Sequence, residues 1–120
     1  MSKKIAFMGT PTISGQILKS LYQNGFDIEV VYTQPPVSSN RGHRLNKSPV
    51  HIMAEILNIP VRTPIVLDNI EEINILHKQY ISLGIVVAYG QILKKDILEI
   101  PKSGWINIHY SLWPQLRGAA

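Results

Sequence analysis

Apolar and polar positions along the chain follow two alternating rhythms. Ile5-Ala6-Phe7-Met8 is an unbroken apolar run behind Lys3 and Lys4, the pattern of a strand buried on both faces. It ends at Gly9-Thr10-Pro11, where Thr10 can cap a helix and Pro11 can take its first position. Ile13, Ile17, Leu18, Leu21 and Tyr22 then recur at helical spacing until Gly25 stops the helix. A second strand is predicted over Ile28 to Thr33, followed by a loop rich in Pro, Ser, Asn and Gly from Pro35 to Gly42. Ser48-Pro49 restarts a helix, with Val50, Met53, Ala54 and Leu57 on one face. Pro60-Val61-Arg62 reads as a short strand, and Asp68 with Glu71 has capping-box spacing ahead of Ile70, Ile73 and Leu76. Ile85 to Ala88 is a further buried strand closing at Tyr89-Gly90. A helical segment around Lys95 to Glu99 then precedes a last strand, Trp105 to His109.

Strands separated by helical patterns predict an α/β fold, a mostly parallel sheet with helices on both faces. Right-handed crossovers bring the strand C-termini to one edge, and ligands of such sheets sit outside that edge. Gly9-Thr10-Pro11, Gln34-Pro35, Tyr89-Gly90 and His109 are thereby expected on one rim. No repeat, low-complexity tract or linker divides residues 1–120, so one domain is expected.

Composition narrows the function classes. An apolar content of 45% and a net charge of only +4 argue against disorder. The absence of cysteine excludes a disulfide scaffold, a thiolate nucleophile, a cysteine-ligated zinc and an iron–sulfur cluster. Twelve Lys/Arg against eight Asp/Glu favour a polyanionic partner only mildly. Apolar runs fall short of the ~20 residues that span a bilayer, and Met1 to Gly9 is too brief for a signal peptide, so a cytoplasmic protein without membrane association is expected. His43, His51, His77 and His109 lack metal-ligand spacing, and no metal is expected.

Three segments could carry chemistry. Gly9-Thr10-Pro11-Thr12-Ile13-Ser14-Gly15 lacks the middle and last glycines of G-x-G-x-x-G in register, which disfavours a dinucleotide, and there is no Walker-type phosphate loop. Arg41-Gly42-His43-Arg44-Leu45-Asn46-Lys47 is a basic loop; it reads either as a phosphate-contacting element or as a solvated turn. In Ile106-Asn107-Ile108-His109, strand alternation puts Asn107 and His109 on one side, ~6–7 Å apart. An amide donor and an imidazole could both address a carbonyl, one stabilising an oxyanion and the other moving a proton. A polar edge strand with locally satisfied side chains is the other reading.

Taken together, Phe7-Met8-Gly9-Thr10-Pro11, Thr33-Gln34-Pro35, Arg41-Gly42, Ser48-Pro49-Val50, Val86 to Leu93 and Ile106-Asn107-Ile108-His109-x-Ser111-Leu112-x-Pro114-x-x-Arg117-Gly118 resemble the amino-terminal part of the methionyl-tRNA formyltransferase family. The resemblance runs through the whole chain in the family's order. It implies a Rossmann-like catalytic domain that moves a formyl group from 10-formyltetrahydrofolate to the amine of initiator methionyl-tRNA. It implies that Asn107 and His109 are catalytic. It assigns Ser111, Leu112, Trp113 and Pro114 to the tetrahydrofolate-binding segment, and Val87, Ala88, Tyr89, Gly90, Gln91, Ile92 and Leu93 to the pterin pocket. Arg41, Gly42, His43, Arg44 and Lys47 resemble the insertion that contacts the tRNA acceptor arm.

Three departures accompany it. Tyr110 and Trp113 replace the family's usual Gly and Leu beside the folate segment, and Leu83-Gly84 replaces an acidic-led entry to the buried strand. Nothing acidic follows His109, whereas the family's catalytic aspartate lies beyond that point. The expectation is therefore a partial catalytic domain, inactive alone or completed by a second chain. Other 10-formyltetrahydrofolate enzymes acting on a small amine or sugar nucleotide, and a non-catalytic folate- or tRNA-binding module, are the alternatives.

Overall fold

The computed structural model describes residues 3–39, 42 and 44–109. Its elements are β1 (Lys4–Gly9), α1 (Thr12–Gln23), β2 (Asp27–Tyr32), β3 (Val37–Ser38), β4 (Leu45–Asn46), α2 (Pro49–Ile56), β5 (Val61–Arg62), α3 (Ile70–Lys78), β6 (Leu83–Val87), α4 (Lys95–Leu98) and β7 (Trp105–Asn107). The main sheet has the order β5-β2-β1-β6-β7, with every pairing parallel. Apolar runs at β1, β2 and β6 produce this because each strand is covered on both faces.

Alternation along β1 separates two cores. Ile5 and Phe7 face α1 and α2, meeting Leu18, Val50 and Ala54. Ala6 and Met8 face the opposite layer, where Leu76 of α3 and Ile97 of α4 close over them. Helices thus lie on both faces, as the pattern predicts, and burial of a side chain such as Phe7 or Met8 contributes ~1.5–3 kcal/mol. Chain order reverses between β1 and β6, which opens a crevice beyond their C-terminal ends.

Local signals hold with informative exceptions. Ser48 caps α2 as expected, its Oγ accepting the His51 N–H at 3.0 Å, with Pro49 in the first turn. The same hydroxyl lies 2.6 Å from Thr33 Oγ1 at the end of β2, so it also ties helix to sheet. Ser48→Ala is expected to cost about 1–2 kcal/mol in urea unfolding, both bonds being lost.

Thr10, by contrast, does not cap α1. Pro11 occupies the cap position and the Thr10 hydroxyl is drawn to another strand. Asp68 is also displaced as a cap: Asn69 accepts the Glu72 N–H at 3.0 Å, which turns Glu72 rather than Glu71 inward. Inside the segment read as a loop, β3 and β4 form a short hairpin with Val37 opposite Asn46. The last strand ends at Asn107, although the Ile108 N–H still reaches Val86 O at 2.8 Å.

Candidate functional site

Two hydroxyls from the start of α1 organise the crevice. Thr10 Oγ1 donates to the Tyr89 carbonyl at 2.6 Å, and Ser14 Oγ donates to that of Val87. Gly9 makes this approach possible: a Cβ there would stand 2.7 Å from the Val87 oxygen and 2.8 Å from Ser14 Cβ. Beyond β6 the chain enters a strained turn, with φ of 52° at Ala88 and 107° at Gly90. The conformation at Ala88 costs roughly 1–2 kcal/mol, and the surrounding bonds hold it.

Gln34, at the end of β2, reaches the same turn. Its backbone N–H points to Thr10 Oγ1 at 3.4 Å, and its side-chain amide accepts from Gln91 Nε2 at 3.0 Å. The expected rim of Thr10, Gln34 and Tyr89-Gly90 is therefore one bonded cluster. Burial, followed by the charge of Glu72, pushes the Tyr89 phenol above its ordinary range, so it stays a neutral hydroxyl at physiological pH.

Strand β7 supplies the other wall. The Trp105 indole lies flat on Gly84 of β6, where an added Cβ would overlap the ring, and its Nε1 donates to Ile97 O at 3.2 Å. At the Leu83-Gly84 departure, Gly84 leaves room for the ring. Ile108 packs toward the Phe7 side of the sheet. Asn107 and His109 are exposed and line a single cavity of about 470 Å³ together with Val86, Ala88, Tyr89, Gln91 and Ile108. A second cavity of about 360 Å³ shares Val86, Gln91 and Asn107 and extends to Ile92, Leu93, Leu98 and Trp105. Of the segment from Val87 to Leu93, Ala88, Tyr89, Gln91, Ile92 and Leu93 thus face the two cavities beside Asn107. Val87 is buried in the core, and Gly90 abuts the Gln34 side chain.

The β3–β4 hairpin rises next to this crevice. Ser39 N–H to Arg44 O at 2.8 Å closes it, and Gly42 takes φ 69° in its turn. Arg44 is exposed, whereas the Lys47 ammonium is engaged by Glu55 at 2.7 Å. Arg41 and His43 lie outside the described residues, as do Tyr110, Ser111, Leu112, Trp113 and Pro114. Among the described residues, no grouping of three or more His, Asp or Glu could hold a metal ion, and no helix is long and apolar enough to cross a membrane.

Sequence reasoning missed the polar framework behind the site. Glu72 is buried, accepts the Tyr32 hydroxyl at 2.8 Å and forms a two-pronged pair with Arg62 at 2.7 and 3.0 Å. Burial opposes its charge, but the bonds from Arg62 and Tyr32 prevail and hold the carboxyl below its ordinary range. A glutamate inside an otherwise apolar helical stripe was the available signal.

Comparison with known proteins bears on this arrangement. A family profile described as formyl transferase matches residues 3–120. Methionyl-tRNA formyltransferase of Pelagibacter ubique is 54% identical over 121 aligned positions, covering 100% of the chain and 39% of that protein. Those of Caulobacter vibrioides and Clostridium perfringens are 48% and 50% identical, each covering 98% of the chain and 38% of the relative. The chain thus spans under two fifths of the length of these curated relatives. The crystal structure of phosphoribosylglycinamide formyltransferase from Bacillus halodurans superposes with a TM-score of 0.68 at 17% identity, covering 98% of the chain and 66% of that structure, a likeness of fold.

Proposed function

Because the chain belongs to the formyl transferase family, we propose that its crevice holds 10-formyltetrahydrofolate for formyl transfer to the amino group of initiator methionyl-tRNA. The observation that carries the reading is the pairing of Asn107 and His109 in one cavity against the turn after β6. In this scheme the Asn107 amide donates to the formyl oxygen as the attacking amine turns it into an oxyanion. His109 takes the proton that the amine sheds and returns one to the departing folate nitrogen, so a C–N bond forms as another breaks. Ala88 to Leu93 shape the wall against the pterin. The hairpin, with Arg44 exposed, offers a basic element to the acceptor arm. The names of the 44–54% identical relatives favour the tRNA acceptor over a small amine.

The test is a calorimetric titration of the 120-residue chain with 5-formyltetrahydrofolate, an unreactive reduced folate. Saturable binding is expected; for a stable N10-formyl folate analogue offered without an amine acceptor, Asn107→Ala is expected to weaken binding about tenfold, the loss of one well-placed hydrogen bond. In the 120-residue chain His109→Ala is expected to leave that affinity within about threefold; in a longer chain that carries the aspartate the resemblance implies, it is expected to lower formyl transfer ~10²–10⁴-fold. A folded chain that does not bind the folate, or an Asn107→Ala variant that binds the N10-formyl analogue unchanged, overturns the reading. Offering methionyl-tRNA and a small primary amine as acceptors to that longer chain separates the tRNA substrate from its rivals.

A further inference from the structure

We infer that Gln91 is a positioning residue: its side-chain amide is a three-way clamp that sets the shape of the Ala88–Gly90 turn, its polar atoms serving that turn rather than the cavities it borders. Its carboxamide is committed to the protein on both ends. Oε1 accepts the Leu67 N–H at 2.7 Å. Nε2 donates to Gln34 Oε1 at 3.0 Å and to Pro64 O at 3.1 Å, with the Tyr89 hydroxyl at 3.5 Å. An amide nitrogen has two hydrogens, and the two shorter contacts account for both. Gln91 thus joins three strand-end segments: the chain after β2 through Gln34, the chain after β5 through Pro64 and Leu67, and its own turn after β6.

The turn needs such a device. Ala88 sits at positive φ, a conformation that a residue with a Cβ keeps only where surrounding bonds over-determine it, and Gly90 follows at φ 107°. Thr10 and Ser14 secure the turn from one side, and Gln91 secures it from the other. Asp68 and Lys94, 3.7 Å apart, run alongside the same junction between the loop after β5 and the segment after β6. Gln91 also lines both cavities beside Asn107, so a shift of its backbone moves the wall that a folate would meet.

The ligand-facing half of this inference rests on the proposed folate reading; the clamp itself does not. Gln91→Met keeps length and bulk while removing the amide. In the 120-residue chain it is expected to raise hydrogen exchange of the Leu67 amide at least tenfold relative to the β1 amides. Affinity for 5-formyltetrahydrofolate is expected to fall about tenfold. Gln34→Met, which removes the partner amide without touching the cavity wall beside Asn107, is expected to weaken that affinity in the same direction by about threefold. The double variant is expected to lose little more than Gln91→Met alone, because both changes cut the Gln91–Gln34 linkage and the contact that Gln34 makes by itself, Nε2 to Gly90 O, is a long 3.5 Å. Unchanged Leu67 protection in Gln91→Met, or additive losses in the double variant, overturns the clamp. Failure of the unsubstituted chain to bind the folate sinks the donor reading alone, since Leu67 exchange still reports on the clamp.

Discussion

Glu72→Ala is expected to lower the stability of the chain by about 3 kcal/mol, read as a shift of the urea midpoint at unchanged slope. Removing the carboxylate leaves the Tyr32 hydroxyl without its acceptor in a fully buried position and strips Arg62 of its two-pronged partner. Arg62 keeps a more distant contact with Glu71 at 3.6 Å and is one-third exposed, which places the loss at the lower end of the range for broken buried pairs. Glu72→Gln retains an acceptor for Tyr32 and loses the charge, so about half of that cost is expected.

The pH dependence follows with a definite sign. The folded-state carboxyl titrates below its unfolded value, so the unfolded chain binds more protons in the window between them. The contribution of Glu72 is fully present above the ordinary glutamate range, about pH 4.3, and is lost as pH falls through the lower folded-state value. Stability of the unsubstituted chain should therefore drop more steeply on acidification below about pH 4.3 than that of Glu72→Gln. Equal slopes would show that the pair carries no net charge stabilisation.

Gly9→Ala has the second large effect, about 2–3 kcal/mol, because the added methyl meets a backbone oxygen that cannot swing aside. Val87 O, 2.7 Å from the new carbon, is held by its place in β6 and by the Ser14 hydroxyl. The crevice between β1 and β6 must widen, and binding of 5-formyltetrahydrofolate should weaken along with stability. Gly15→Ala is the matched control. Its added carbon would lie no closer than 3.4 Å to Pro49 O, an ordinary contact, and alanine is favoured by up to ~1 kcal/mol within a helix. Opposite signs are expected for the two glycines in thermal unfolding, and a neutral Gly9→Ala would show that the strands can separate without strain.

Much of the fold was legible because its causes are local. The apolar runs at Ile5–Met8 and Ile85–Val87 can only be strands covered on both faces, and Ser48-Pro49 starts a helix with its own side chain and ring. Strand alternation also predicts Asn107 and His109 on one side; the strand itself ends at Asn107, and the cavity both line is completed by the turn after β6. Other features failed to show because their partners lie far away in sequence. Thr10 has the chemistry of a helix cap, yet Tyr89, 79 residues later, offers a carbonyl that only the β1–β6 pairing brings within 2.6 Å. The β3–β4 hairpin was hidden in a turn-rich stretch of two-residue strands, too short for any period to register.

Periodicity and turn chemistry settle the element order, the parallel architecture and the rim on which Gly9, Gln34, Tyr89 and His109 meet, since these depend on each residue and its near neighbours. Folding in three dimensions settles where polar side chains find their partners. Glu72 of α3 becomes a buried anion because Tyr32 and Arg62 converge on it from two strands, and Gln91 becomes a junction because three loop ends arrive together. A hydrogen bond is decided within a few tenths of an ångström, and no spacing along a chain specifies distances that fine between segments dozens of residues apart.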